Sequence, residues 1–266
     1  MSNNPNLQAK TLEEHRQYLY EIVRLKLFFL HLWLEQHPEE DFQFVIRNRV
    51  DIYRKTKANP GLHTPKELFF DAPAWKSMED LAEQCWKENR NDRERFEKEA
   101  FEIFRDSIDQ RCEFDYLDNS VLAQYTNGCL RHDRCPDETN PELIWFHIGN
   151  VLRPHSIFED PDYLPRCFKW LMDTVEEKFN VKQIGTGTWL NSNPKWLALF
   201  PDEWLENLSA PVEAINWSYG CWGQFISARG TFNAKHGRIL RETGRFPFYA
   251  RISHCSIAAM RKKHGL

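Results

Sequence analysis

Between Leu19 and Leu34 the apolar residues Leu19, Ile22, Val23, Leu27, Leu30 and Leu34 recur every three or four positions, and this spacing constrains the fold more than any other feature. Thr11 stands three residues before Glu14, the arrangement in which each side chain caps the other's backbone N–H. A helix over about 11–36 is therefore expected. The apolar run Leu25–Leu34 is interrupted by Lys26 and His31 and falls short of the roughly 20 residues that span a bilayer, so no membrane partner is expected. Met1–Lys10 lacks the basic start and apolar stretch of a secretion signal, which makes the cytoplasm the expected location.

Thr64, Pro65 and Glu67 repeat the helix-start signal, and Leu81, Cys85, Phe96, Phe101, Phe104 and Ile108 predict further helices between 76 and 112, broken near Asn89–Asn91. The charged stretch Lys87–Glu99 reads as a solvated helix face. Past Cys135 the texture changes. Pro136, Asp137, Asn140 and Pro141 form a turn-rich segment, which divides a helical unit, 1–136, from a mixed unit, 137–266.

In the second unit Leu143–Ile148 reads as a short buried strand, and Asp160, Pro161 and Asp162 open a helix lined by Leu164, Phe168, Leu171, Met172, Val175 and Phe179. Val181–Leu190 reads as a second strand, parallel to the first because a helical crossover joins them. Pro194 opens a short helix to Phe200, Asn216–Phe225 reads as a third strand, and Ala228–Thr243 as a helix stopped by Gly244. The fold class is α+β: a helical N-terminal half packed on a mixed α/β C-terminal half.

Of the 266 residues, 41% are hydrophobic and 14% aromatic, ample for a core. The 35 basic and 39 acidic residues nearly cancel, so no global field favours nucleic acid. Seven scattered cysteines fit reduced thiols better than a disulfide framework.

Four constellations are candidates for chemistry. His147, Asn150, His155 and Glu159 lie at the end of the first predicted strand and in the loop beyond it, where α/β folds place ligands. They could hold a divalent metal through two imidazoles and a carboxylate, or supply a general base oriented by Glu159; hydrogen bonding within a strand end is the plainer reading. Gly185 and Gly187 would let a backbone approach a ligand closely, although no phosphate-loop motif follows. Trp189, Trp196, Trp204, Trp217 and Trp222 line either an aromatic pocket or a core. Trp222, Gln224, Arg229, Asn233, His236, Arg238 and Arg241 gather on and before the late helix, where Arg229, Asn233 and His236 share a face that could meet an anion, unless it is simply solvated. Two weaker patterns are Cys129, His132 and Cys135 at C-x2-H-x2-C spacing, without an evident fourth ligand, and His254 beside Cys255, which would point to opposite faces of a strand.

The order Trp145-Phe146-His147-Ile148-Gly149, an apolar-faced helix, Thr188-Trp189-Leu190-Asn191 and a late helix over Phe232–Gly244 is similar to the C-terminal domain of GNAT-like acyltransferase proteins, whose companion N-terminal domain is helical. Gly149 stands where that family has Pro, Thr188 and Asn191 replace a Ser and a Leu, and the pyrophosphate loop of ordinary GNAT enzymes is absent. The resemblance implies transfer of an acyl group from a thioester to a small-molecule amine or hydroxyl, with His147 as base and the backbone near Gly185–Gly187 stabilising the oxyanion. Glu159 and Asn191 complete the expected catalytic set, and Asn150, His155, Gly185, Gly187, Trp189, Trp222, Gln224, Arg229, Asn233 and His236 the expected substrate contacts. A metal-dependent oxygenase or lyase built on His147, His155 and Glu159, and a non-catalytic small-molecule binding protein, are the alternatives.

Overall fold

The computed structural model describes residues 4–60 and 70–266; the expected helix start at Thr64, Pro65 and Glu67 lies outside the described residues. After a helical turn at Pro5–Ala9, helix α1 spans Leu12–Gln36 and opens with the expected capping box: Thr11 Oγ1 accepts from Glu14 N at 3.1 Å, and Glu14 Oε2 accepts from Thr11 N at 2.7 Å. Replacing Thr11 by alanine is expected to lower stability by about 1 kcal/mol in urea denaturation, because one first-turn N–H loses its acceptor. Helices α2 (Pro73–Glu88) and α3 (Arg93–Leu117) follow, separated at the expected break. Asn89 makes that break: its side chain donates to the Cys85 carbonyl and to Glu99, and its own carbonyl accepts from His31 Nε2 at 3.0 Å.

The chain then enters a four-stranded sheet in sequence order: β1 (Leu130–His132), β2 (Leu143–Ile148), β3 (Gln183–Thr188) and β4 (Arg251–Ser256). β1 and β2 are antiparallel, β2 and β3 parallel, and β3 and β4 antiparallel. Helix α4 (Tyr163–Phe179) is the crossover between the parallel pair, as the sequence predicts, and ends at Asn180 in the left-handed region with φ 53°. The late helix α5 runs from Ala234 to Thr243 and stops at Gly244, φ 67°; helix α6 (Ile257–His264) closes the chain.

Two expectations are corrected. Asn216–Phe225 is not a strand but a turn followed by helical turns at Tyr219–Trp222 and Gly223–Phe225. Its Trp222 and Phe225 are buried in the core built on α1 instead of along a sheet, with Trp222 and Phe29 rings edge-on at 5.4 Å. The late helix starts at Ala234 rather than Ala228, because the Asn233 side chain caps it by accepting from His236 N at 3.3 Å. Arg229 consequently lies in the preceding loop and shares no helix face with His236.

The described residues form two cores. The first packs α1, α2 and α3 around Trp75, Phe96 and Phe104, and it also takes Ile215, Trp222, Phe225, Leu240 and Phe246 from the far end of the sequence. The second lies between α4 and one face of the sheet, where Ile144, Phe146 and Ile184 meet Phe168, Met172, Trp196, Phe200 and Trp204. Between them, these cores bury most of the crowded tryptophans: Trp196, Trp204 and Trp222 are at most 2% exposed. Arg241 clamps α5 to α3 through a two-pronged pair with Glu97 at 2.6 and 2.8 Å. The anion that this basic helix meets belongs to the protein itself.

Candidate functional site

The register of the parallel pair locates an opening. β2 and β3 match only at Leu143 with Gln183, Ile144 with Ile184 and Trp145 with Gly185. From Phe146 onward β2 continues against β1 alone, and from Thr186 onward β3 continues against β4 alone. The two carboxyl ends therefore part, at the end of the sheet where α/β folds place ligands. Trp145 marks the fork: a Cβ on Gly185 would lie 2.8 Å from the Trp145 ring and 3.0 Å from the Ser253 carbonyl, so only glycine fits beneath that indole.

His147 stands on the departing end of β2. Its Nε2–H donates to Asp133 Oδ1 at 2.6 Å, which fixes the tautomer because an ionised carboxylate only accepts. Burial alone would raise the Asp133 carboxyl, but the hydrogen bond and charge of His147 outweigh it and hold the group below its ordinary value. Nδ1 is left without a hydrogen-bond partner among the described residues, on a side chain 43% exposed. Asp133 was not among the residues singled out from sequence. Its position, one residue beyond β1 and across from β2, depends on the antiparallel pairing.

The other sequence-selected residues disperse. His155 pairs with Glu159 at 3.2 Å on the surface, both more than half exposed. Asn150 holds the loop, donating to the His155 and Ala228 carbonyls and accepting from Leu152 N. Asn191 is fully buried: its amide donates to the carbonyls of Thr186 at 2.9 Å and Arg251 at 2.8 Å, and its oxygen accepts from Trp196 Nε1 at 3.0 Å. Gln224 is equally enclosed, tying Cys221 to Phe248. Trp222 donates to the Arg49 carbonyl from within the first core. Trp189 is half-buried beside Phe248, and Gly187 lies exposed on β3 with Gly220 close to its carbonyl. Asn233 caps α5 and also donates to the Gln224 carbonyl. His236 donates to that same carbonyl at 2.8 Å, and burial pushes its imidazole below its ordinary value. Arg229 donates to the Ala9 carbonyl and lies 3.5 Å from Glu14.

Among the described residues no group of three or more His, Cys, Asp or Glu side chains is gathered as a metal ion requires. Of the cysteine pattern, Cys129 packs against Cys167, His132 donates to the Asp133 carbonyl, and Cys135 is exposed. Cys255 points into the second core, where burial pushes its thiol up to about 12, while His254 takes the opposite face of β4.

Sequence reasoning missed a second cluster where the two halves meet. His15 on α1 donates through Nε2 to Asp115 on α3 at 2.9 Å, and Lys55 Nζ lies 3.3 Å from the other carboxylate oxygen. Lys10 donates to the Gly230 carbonyl and sits 4.9 Å from the Tyr18 ring centre. Arg153, five residues beyond β2, donates to Asn6 Oδ1 at 2.6 Å. Close by, Lys26 donates to the carbonyl of Asp51, a left-handed residue with φ 54° at the end of a π-helical turn, and Arg54 stacks 3.7 Å over Trp217 while pairing with Asp51. Tyr219, a half-exposed residue, lies within electrostatic reach of Tyr18, Lys55, Arg153 and Tyr125. Its neighbour Gly220 backs onto Gly187 at the parted strand end, so the cluster and the opening adjoin. A signal was present: His15 precedes Leu19 by four positions and Asp115 follows Ile108 by seven, which puts two ionisable residues on buried helix stripes.

No family model matches this chain, and neither a curated protein nor a solved structure matches it.

Proposed function

We propose that this protein transfers an acyl group from a thioester to a small-molecule amine or hydroxyl, using the opening between β2 and β3. The parting of the two parallel strands after Trp145 and Gly185 carries this reading. Strand ends that have lost their partner can accept an extended, amide-bearing chain as a further strand would be accepted. Such a chain would bring the thioester carbonyl towards the carboxyl end of β2. There His147, held by Asp133, offers Nδ1 to the proton of the attacking amine or hydroxyl. The new bond forms at the carbonyl carbon, the C–S bond breaks, and the departing thiolate takes up the proton. We place the activity in the cytoplasm, in keeping with seven cysteines that are all free; among the described residues no helix is long and apolar enough to cross a membrane.

The test is a panel of acyl thioesters offered with amines and alcohols, with transfer read by mass spectrometry. Replacing His147 by alanine is expected to lower kcat by about a hundredfold or more while leaving thioester affinity and the melting temperature near wild type, because the imidazole is half-exposed. Transfer at the wild-type rate in that variant, or failure of every thioester to bind, would remove the proposal.

A further inference from the structure

We propose that the cluster of Lys10, Lys55 and Arg153 around Asp115 is a binding site for a small oxyanion, the carboxylate or phosphate group of a metabolite. The inference does not depend on acyl transfer. It starts from a charge count. Among the described residues Asp115 is the one carboxylate in ion-pair contact with these two ammonium groups and one guanidinium, 3.3 Å from Lys55; Glu14 and Asp51 act on Lys10 and Lys55 from farther away and are themselves paired with Arg229 and Arg54. Lys10 and Lys55 are at most 8% exposed, so water does little to offset the excess. Buried positive charge without a matching anion is unfavourable, and a cluster that retains it is a candidate ligand site.

One donor is also unused: among the described residues the buried Nε of Arg153 has no hydrogen-bond partner. Gly230 is what brings two of the cations together. It adopts φ +80°, its carbonyl accepts from Lys10, and a Cβ there would stand 2.9 Å from Arg153 Nη1. A left-handed glycine is thus used to let a guanidinium lie against the backbone beside an ammonium, an arrangement that a purely structural contact would not require.

The cluster also carries a pH signature. Burial first, and then the positive charges of Arg153 and Lys55, push the Lys10 ammonium down to about 7, against the opposing pull of Asp115 and Cys112. Tyr18, His15 and Glu14 are the remaining titratable groups that face it. A bound oxyanion favours the protonated form, so binding takes up a proton above that value. Affinity therefore falls as pH rises, by about tenfold per pH unit at most.

The experiment measures melting temperature and calorimetric affinity with inorganic phosphate and with succinate, against chloride at equal ionic strength. At least one of the two oxyanions is expected to raise the melting temperature of the wild-type chain, with tighter binding at pH 6.5 than at pH 8.5 as set by the Lys10 value near 7. A response to phosphate alone assigns a phosphate group, and a response to succinate alone assigns a carboxylate. Lys10→Met is expected to melt higher than wild type in chloride, since a buried charge is replaced by an apolar chain of similar length, and to lose the oxyanion response. Arg153→Gln provides a second route to the same loss. His147→Ala is expected to keep the response in full. Equal melting in chloride, phosphate and succinate, or an undiminished response in both Lys10→Met and Arg153→Gln, would overturn the site.

Discussion

Asp115→Ala is expected to lose about 3–5 kcal/mol of stability, the cost of breaking a buried ion pair by removing one partner. The carboxylate accepts from His15 at 2.9 Å and faces Lys55 at 3.3 Å, and its side chain is only 16% exposed. Without it the Lys55 ammonium loses its ion-pair partner among the described residues, in a cluster that already holds Lys10 and Arg153. The size of the loss should track that imbalance rather than the lost contacts. In Asp115→Ala combined with Lys55→Met the orphaned ammonium is gone, and most of the stability is expected to return. Urea denaturation of the two variants and the wild type decides the matter. Additive losses in the double variant would show that Asp115 acts through packing alone.

The acid limb of the stability curve follows from the same group. Burial would raise the Asp115 carboxyl, but Lys55 and His15 outweigh it and hold the group well below its ordinary 3.8. A depressed carboxylate stabilises the fold above its unfolded value, and this contribution disappears as pH falls from about 4 toward the folded value. In Asp115→Ala the acid limb should therefore be shallower. Lys10 works in the other direction: with a folded value of about 7 against 10.5, the unfolded chain binds more protons between those limits, so its contribution rises with pH across that window.

Sequence period carried the helical half and the parallel crossover, because both are set by local patterns. A capping box, a stripe from Leu19 to Leu34 and a buried strand followed by an amphipathic helix each bury one face in only one way. Asn216–Phe225 failed for the same reason that it misled. Its aromatic-rich composition suits a strand, yet Trp222 and Phe225 are held by Phe29 and Phe246 of the first core, and the Trp222–Phe29 contact joins residues nearly 200 apart in sequence. The parting of β2 and β3 was invisible because it depends on where pairing stops, not on which segments are strands. Similarly, His147 could be read from the sequence and Asp133 could not, since strand register alone brings them together. The cationic cluster draws on Lys10, His15, Lys55, Asp115 and Arg153, which no spacing rule connects; only the places of His15 and Asp115 on buried helix stripes hinted at it.

Asn191 shows how a polar residue near a strand end can be read as catalytic and be structural. Its amide joins the carbonyls of Thr186 and Arg251, and its oxygen takes the indole N–H of Trp196, so both of its N–H donors are already spent inside the protein. Asn191→Leu conserves volume but leaves two carbonyls and an indole N–H without their partner. With each of the three orphaned groups worth roughly 1–3 kcal/mol, a total loss of at least about 3 kcal/mol is expected. Trp196 belongs to the second core with Phe168 and Phe200, so the loss should appear as cooperative unfolding of the whole sheet and α4 layer rather than as local fraying. The contrast with His147→Ala makes the measurement decisive. The histidine variant should melt normally and lose turnover, whereas the asparagine variant should melt early and keep its turnover per folded molecule. A stable Asn191→Leu protein without transfer activity would return Asn191 to the chemistry and require the parted strands to act through that amide.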